Sequence, residues 1–226
     1  MAGVLDGVGG IAHGAEAAAW CAEYFKNNLS GENIEEAFEH CHELLKKKSR
    51  NKFGKDIATT STVVQIYPTQ ISALVAWGNV GDSRLYHLSA DRLIQKSIDD
   101  SLITQAQERG WVSHEKAERI NQAADLKGFN EIEQNLFRSR NIILQAMGIG
   151  EMKPRIGKFM AKKGDAIVIT SDGIHDNLTN AQIKQILKVK PTDPAKKLVE
   201  EATFISESDS IRAKSDDMTA VVVELF

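Results

Sequence analysis

The chain predicts an α+β fold in which antiparallel sheet is covered by pairs of helices. Two observations carry this reading. Helical and strand patterns come in blocks, in the order helix pair, strands, helix pair, strands, helix pair, strand, and blocks of that kind suit a layered α+β architecture. Consecutive strand patterns are joined by short turns, which makes the pairing antiparallel.

Residues 2–5 read as a short apolar strand end. Residues 14–29 read as a helix with Ala18, Cys21, Ala22, Phe25 and Leu29 on one face, broken by Ser30-Gly31. A second helix over residues 33–48 sets Ile34, Ala37, Phe38, Cys41 and Leu45 on its apolar side. Its Lys46-Lys47-Lys48 end suits a helix C-terminus and is read as a solvated end. From residue 58 the period changes. Residues 59–67 are rich in β-branched side chains, Pro68-Thr69-Gln70 turns the chain, and residues 71–77, 84–88 and 92–96 continue as strands. Helical patterns follow near 102–109 and 113–124, and residues 125–140 read as a polar, irregular surface excursion. Residues 156–160 and 166–170 return to strand across the turn Lys162-Lys163-Gly164-Asp165. Thr179 or Asn180 caps a helix to about residue 188, Asp193-Pro194 opens another, and residues 218–225 close the chain as a strand.

The bulk numbers exclude several classes. The 226 residues are 42% apolar and 26% charged, an ordinary soluble globular composition, and we read residues 1–226 as one domain. A net charge of −3 gives no footprint for nucleic acid or for an anionic membrane surface. No apolar run approaches the roughly 20 residues of a membrane span, and no secretory signal is visible at the N-terminus. Cys21 and Cys41 fall in helical patterns, as buried thiols rather than a disulfide or a metal pair. A cytoplasmic location is the default expectation.

Four segments carry the chemistry: Asp6-Gly7-Val8-Gly9-Gly10, Gly81-Asp82-Ser83-Arg84, Ser171-Asp172-Gly173-Ile174-His175-Asp176, and Ser215-Asp216-Asp217-Met218-Thr219. Each sets Asp beside a small or turn-forming residue at an end of an apolar run, as when a sheet presents carboxylates at one rim. Crowded carboxylates repel and need a cation, and oxygen-only ligands favour Mg²⁺ or Mn²⁺. Singly, each segment has a plainer reading. Asp6 before glycines suits a turn. Gly81-Asp82-Ser83-Arg84 suits a hairpin turn, with Arg84 as the partner of a nearby carboxylate. Asp172 is costly at the end of a buried run unless paired or metal-bound, and Asp176 reaches the same ion if a helical turn begins there. His175 lies between these acids, where a metal-ligand role competes with a plain surface or packing role, and the plain role is the expectation. Gly7-Val8-Gly9-Gly10-Ile11-Ala12 also fits a dinucleotide fingerprint, which would require a strand after the first helix. A second helix follows instead, so that reading fails.

Together and in order, the four segments resemble the metal-dependent serine/threonine protein phosphatases of the 2C type, in bacterial-like form. That family carries Asp-Gly-x-Gly-Gly, Gly-Asp-Ser-Arg, Ser-Asp-Gly-x-x-Asp and Asp-Asn/Asp-x-Thr. Thr59-Thr60-Ser61-Thr62, Asp100-Ser101-Leu102 and the stretch from Arg140-Asn141 to Met147-Gly148 resemble further family segments. The resemblance implies an antiparallel β-sandwich flanked by helix pairs in four α/β/β/α layers. It implies a cofactor of two Mn²⁺ or Mg²⁺ ions with a third, weaker site. Asp6 would bridge the two ions, the Gly7 carbonyl would bind one, and Asp172 and Asp216 would complete the pair. Asp82 and Asp176 would serve the third ion, with Asp217 just outside. A metal-activated water would hydrolyse phosphoserine and phosphothreonine in proteins, opposing a Ser/Thr kinase. No catalytic side chain or phospho-enzyme is expected.

Departures from the family pattern set further expectations. Only residues 1–5 precede Asp6, so the N-terminal strands and a phosphate-binding arginine are expected to be missing. An unpaired sheet edge would then favour self-association. Val8 and Ile11 stand where family members carry His. Two function classes follow: an active phosphatase of reduced efficiency, or a weak or inactive relative that binds partners.

Overall fold

A computed structural model describes residues 1–11, 13–30 and 33–226. Its strands form two antiparallel sheets of four. The first holds β1 (Ala2–Val4), β2 (Ser61–Pro68), β3 (Ser72–Val80) and β6 (Arg155–Lys162) in the order β1-β2-β3-β6. The second holds β4 (Arg84–Ser89), β5 (Arg92–Gln95), β7 (Ala166–Thr170) and β8 (Ala220–Glu224) in the order β5-β4-β7-β8.

Side chains alternate across a strand, so each sheet faces two cores. Val64, Val75, Trp77, Leu85, Ile167 and Ile169 fill the space between the sheets. Val63 and Val80 point the other way, onto α1 (Gly14–Asn28) and α2 (Ile34–Lys48), where Phe25, Phe38 and Leu45 are buried. Tyr86 and Val168 point outward from the second sheet. They meet Ile174 of α6 (Asp172–His175), Ile183 and Leu187 of α7 (Asn180–Lys188), and Leu198 of α8 (Pro194–Ser206). These are the four expected layers. A sheet covered on both faces needs continuous apolar strands, and β7 is buried along its whole length. Cys21 and Cys41 are buried and not joined in a disulfide.

Two expectations are corrected. Residues 125–140 are not wholly irregular: α5 (Glu131–Arg138) packs with α3 (Leu102–Glu108) and α4 (His114–Asn121) around Ile103, Ile120, Phe129 and Phe137. Asn130 and Glu133 close a capping box, each side chain accepting from the other's backbone N–H at 3.0 Å. That box starts a helix too short to show a clear period. Gly81-Asp82-Ser83 is not a hairpin turn within one sheet. It is a corner that carries the chain from β3 in the first sheet to β4 in the second.

A π-helical turn, Ser49–Phe53, prolongs α2 beyond its predicted end. Gly31 of the predicted break and Ala12 of the rejected fingerprint lie outside the described residues. α2 follows α1 directly in the element order. β1 and β8 lie against each other at one side of the sandwich, and no described strand pairs with the outer edge of either. Among the described residues no helix is long and apolar enough to cross a membrane.

Candidate metal centre

Asp6 sits just past β1, and its backbone is fixed from both sides by the start of β2. Its N–H donates to Thr60 Oγ1 at 3.2 Å, and its carbonyl accepts from Thr60 N–H at 2.7 Å and Thr59 Oγ1 at 2.9 Å. Gly7 follows because nothing larger fits: a Cβ there would stand 2.4 Å from the Gly14 carbonyl carbon at the head of α1. The threonine run thus aims the Asp6 carboxylate.

Asp172 and Asp216 reach the same rim because the end of β7 is stitched to the start of β8. Ser171 N–H donates to the Thr219 carbonyl at 3.0 Å, and Thr219 N–H donates to Ser171 Oγ at 2.9 Å. A Cβ on Gly173 would stand 2.3 Å from the Asp217 carbonyl oxygen, so glycine is needed for α6 to start this close to residues 216–217. Asp176 N–H donates to the Asp172 carbonyl at 2.8 Å, which is the helical turn expected between these two acids.

Asp6, Gly7, Asp82, Asp172, Asp216 and Asp217 line one cleft of about 480 Å³, together with Thr60, Asn141 and Lys214. Asp176 lies behind it, buried, with Oδ1 3.4 Å from Arg140 Nε and Oδ2 3.2 Å from Lys214 Nζ. His175 is buried, its Nδ1 2.9 Å from Thr170 Oγ1. Burial and the nearby Arg84 charge hold its pKa well below the usual value. It packs in the interior rather than standing at the surface, and it does not line the cleft. Arg84 forms the expected pair, donating from Nε and Nη2 to Asp99 Oδ2 at 2.9 and 2.6 Å.

The cleft is electrostatically overloaded. Burial, then the charges of Asp172 and Asp216, push the Asp6 carboxyl up to about 7. Burial and the Asp172 charge raise Asp82 well above the usual range. Burial also raises Asp172, although Lys214 opposes it. Asp172 Oδ1 is buried with no hydrogen-bond partner, and an orphaned carboxylate oxygen of this kind is what a bound cation satisfies. An all-oxygen donor set suits Mg²⁺ or Mn²⁺. The residues therefore fit such an ion. As they stand, no group of three or more His, Cys, Asp or Glu among the described residues is set to hold one. The acids are gathered about the Lys214 ammonium instead, which bonds Asp172 and lies 2.9 Å from Asp216 Oδ2.

No family model matches the chain. A serine/threonine phosphatase stp of Listeria innocua is 30% identical over 167 residues, covering 73% of this chain and 56% of that protein. The chain is a homologue of the bacterial 2C-type serine/threonine phosphatases. It spans little more than half the length of the curated relatives it matches. The serine/threonine phosphatase PstP/Ppp of Mycobacterium tuberculosis superposes with a TM-score of 0.76 at 20% identity, over 99% of this chain and 87% of that one. A PstP catalytic domain solved in complex with two manganese ions superposes with a TM-score of 0.68 at 18% identity, over 97% of this chain and 84% of that one. These likenesses establish the 2C-type phosphatase fold.

Against the 2C-type motifs, sequence reasoning misses one prominent residue of the cleft. Lys214 stands two positions before Asp216, and no family segment draws attention to it. The available signal is a lysine two residues before an acid read as cation-seeking. Asn141 lies in a segment that resembles the family but has no expected role, and the structure sets it in the cleft wall. Thr59 and Thr60 read in sequence as the opening of a strand, and they also position Asp6.

Proposed function

We propose that this cleft hydrolyses phosphoserine and phosphothreonine in proteins, opposing a Ser/Thr kinase, and that it works with two Mn²⁺ or Mg²⁺ ions and a weaker third. The observation that carries the reading is the convergence of Asp6, Asp172 and Asp216, from three distant parts of the chain, on one acid-rich cleft. The manganese-bound PstP neighbour supports the choice of ion. Asp6, the Gly7 carbonyl, Asp172 and Asp216 hold the pair; Asp82 and Asp176 serve the third.

Bound ions supply an acidified water as nucleophile and positive charge against the phosphoryl oxygens. The chain's own residues do the rest. Thr59 and Thr60 fix Asp6, and the Ser171–Thr219 bonds fix the spacing of Asp172 and Asp216. Burial and the Asp172 charge raise the Asp82 carboxyl well above the usual range, so a bound cation would favour its ionised form. Among the described residues that line the cleft there is no cysteine or histidine, and His175 packs against Thr170, which favours a water nucleophile over a thiol or an imidazole.

The test is turnover of a phosphothreonine peptide by EDTA-stripped protein with Mn²⁺ restored. Turnover should require the metal and fall on the order of 10³-fold in Asp172→Asn. Full turnover in excess EDTA contradicts the mechanism. Metal binding without turnover would leave a partner-binding relative.

A further inference from the structure

We propose that Lys214 is a tethered cation that occupies the acid cluster when no divalent ion is present, and that it must swing out before one binds. The inference rests on the metal reading above and adds a competitor built into the chain.

The geometry is specific to Lys214. Its ammonium bonds Asp172, lies 2.9 Å from Asp216 Oδ2 and lies 3.2 Å from Asp176 Oδ2. These are three of the acids assigned to ions, and they come from two separate segments. A single ammonium among three carboxylates does the neutralising work of an ion, yet it leaves Asp172 Oδ1 buried without a partner. It therefore satisfies the cluster incompletely, which is what allows displacement. Lysine suits a displaceable counter-ion because its charge is a compact point on a flexible four-carbon stem, whereas arginine carries a broad planar fork.

The main chain beneath it is held still. Lys214 N–H donates to Asn177 Oδ1 at 2.9 Å, and Asn177 Nδ2 donates to the Lys214 carbonyl at 2.9 Å. The neighbouring Arg212 is buried and donates to the carbonyls of Asn121, Ala123 and His175 at 2.9, 3.1 and 2.6 Å. Only the side chain is left to move, and Lys214 lines the cleft of about 480 Å³ into which it can move. The cost of breaking three ionic contacts is subtracted from the metal's affinity. Removing the ammonium should therefore tighten metal binding, whereas removing an ordinary structural lysine would weaken it or leave it unchanged.

The experiment titrates EDTA-stripped wild type, Lys214→Met and Lys214→Gln with Mn²⁺ alone by calorimetry, with circular dichroism to confirm the fold. We expect both variants to bind Mn²⁺ at least about tenfold more tightly than wild type. They should also melt lower than wild type in EDTA and gain more on adding Mn²⁺. A second measurement needs no variant: acetylation of wild-type lysines, read by mass spectrometry, should show Lys214 protected in EDTA and more reactive with Mn²⁺. Folded variants with unchanged or weaker affinity, or Lys214 reactivity indifferent to Mn²⁺, overturn the proposal. Unchanged Mn²⁺ affinity with weakened inhibition by inorganic phosphate would also overturn it, making Lys214 a phosphate anchor. If neither wild type nor variants bind Mn²⁺, the metal reading itself fails, an outcome distinct from failure of the gate alone.

Discussion

Arg84 and Asp99 are buried together where β4 leaves its corner, while Asp6, Asp82, Asp172, Asp176 and Asp216 crowd in and behind the neighbouring cleft with Lys214 and Arg140. The first cluster is balanced: one guanidinium meets one carboxylate through two of its nitrogens, a geometry that suits both shapes. The second sets these five carboxylates, with Asp217 also in the cleft wall, against Lys214 and Arg140, and three of its acids have raised pKa values. Both clusters are built on aspartate, so residue type does not separate them. Charge balance does. A matched buried pair holds structure together, whereas an acid surplus weakens the metal-free fold and is retained where a cation is to be bound.

The sharpest way to break that comparison is to neutralise one member of each cluster. Arg84→Ala leaves Asp99 buried without its counter-ion, with Gln95 Nε2 still donating to Oδ1 at 2.8 Å, and should cost about 3–5 kcal/mol, a thermal midpoint roughly 10 °C lower. Asp6→Asn should do the reverse in metal-free protein: it removes a repelled charge and should raise the midpoint by about 2–4 °C at pH 8. Thermal melts in EDTA read both. If Asp6→Asn destabilises the metal-free protein as Arg84→Ala does, the cleft is an ordinary structural network.

The smaller effect is on pH. The Asp6 carboxyl rises from 3.8 to about 7 on folding, so between those values the folded state binds more protons than the unfolded chain. Stability of the metal-free protein must then fall as pH rises through that window. Asp82 and Asp172 act in the same direction. Lys214, whose pKa the Asp176 and Asp172 charges raise against its burial, contributes at every pH in this range. Melts in EDTA should show a midpoint about 2–4 °C higher at pH 5 than at pH 7.5. Mn²⁺ should shrink this difference, because ion binding takes up the ionised carboxylates. A metal-free midpoint that climbs from pH 5 to 7.5 would mean the acids are not in mutual conflict.

Much of this molecule is legible in sequence because its elements carry strong local signals. The uninterrupted apolar run of β7, the Pro194 start of α8 and the apolar stripe of α2 each need only a short window, whereas on α1 Ala17 is buried in place of the expected Ala18 and Ala22. Asp172 and Asp176 are legible as a pair because four residues make one helical turn. What fails are features decided by tertiary packing. α5 has eight residues, and its box of Asn130 and Glu133 is polar, so it resembles loop until Phe129 and Phe137 are seen in a shared core. Whether Gly81-Asp82-Ser83 turns within a sheet or between sheets depends on which strand β4 pairs with, and that partner, β7, lies about eighty residues on. Lys214 is invisible for a related reason. A lone lysine in a polar stretch is usually solvated, and only the folding of residues 172 and 216 to one rim turns it into a counter-ion.

The central claim is that carboxylates from three distant segments form one ion site. Calorimetric titration of EDTA-stripped protein with Mn²⁺, repeated for Asp6→Asn, Asp172→Asn and Asp216→Asn, tests it most directly. The account predicts saturable binding to the wild type and a loss on the order of 100-fold or more in each variant. Undiminished affinity in the three variants, or no binding to any protein in the set, would contradict it.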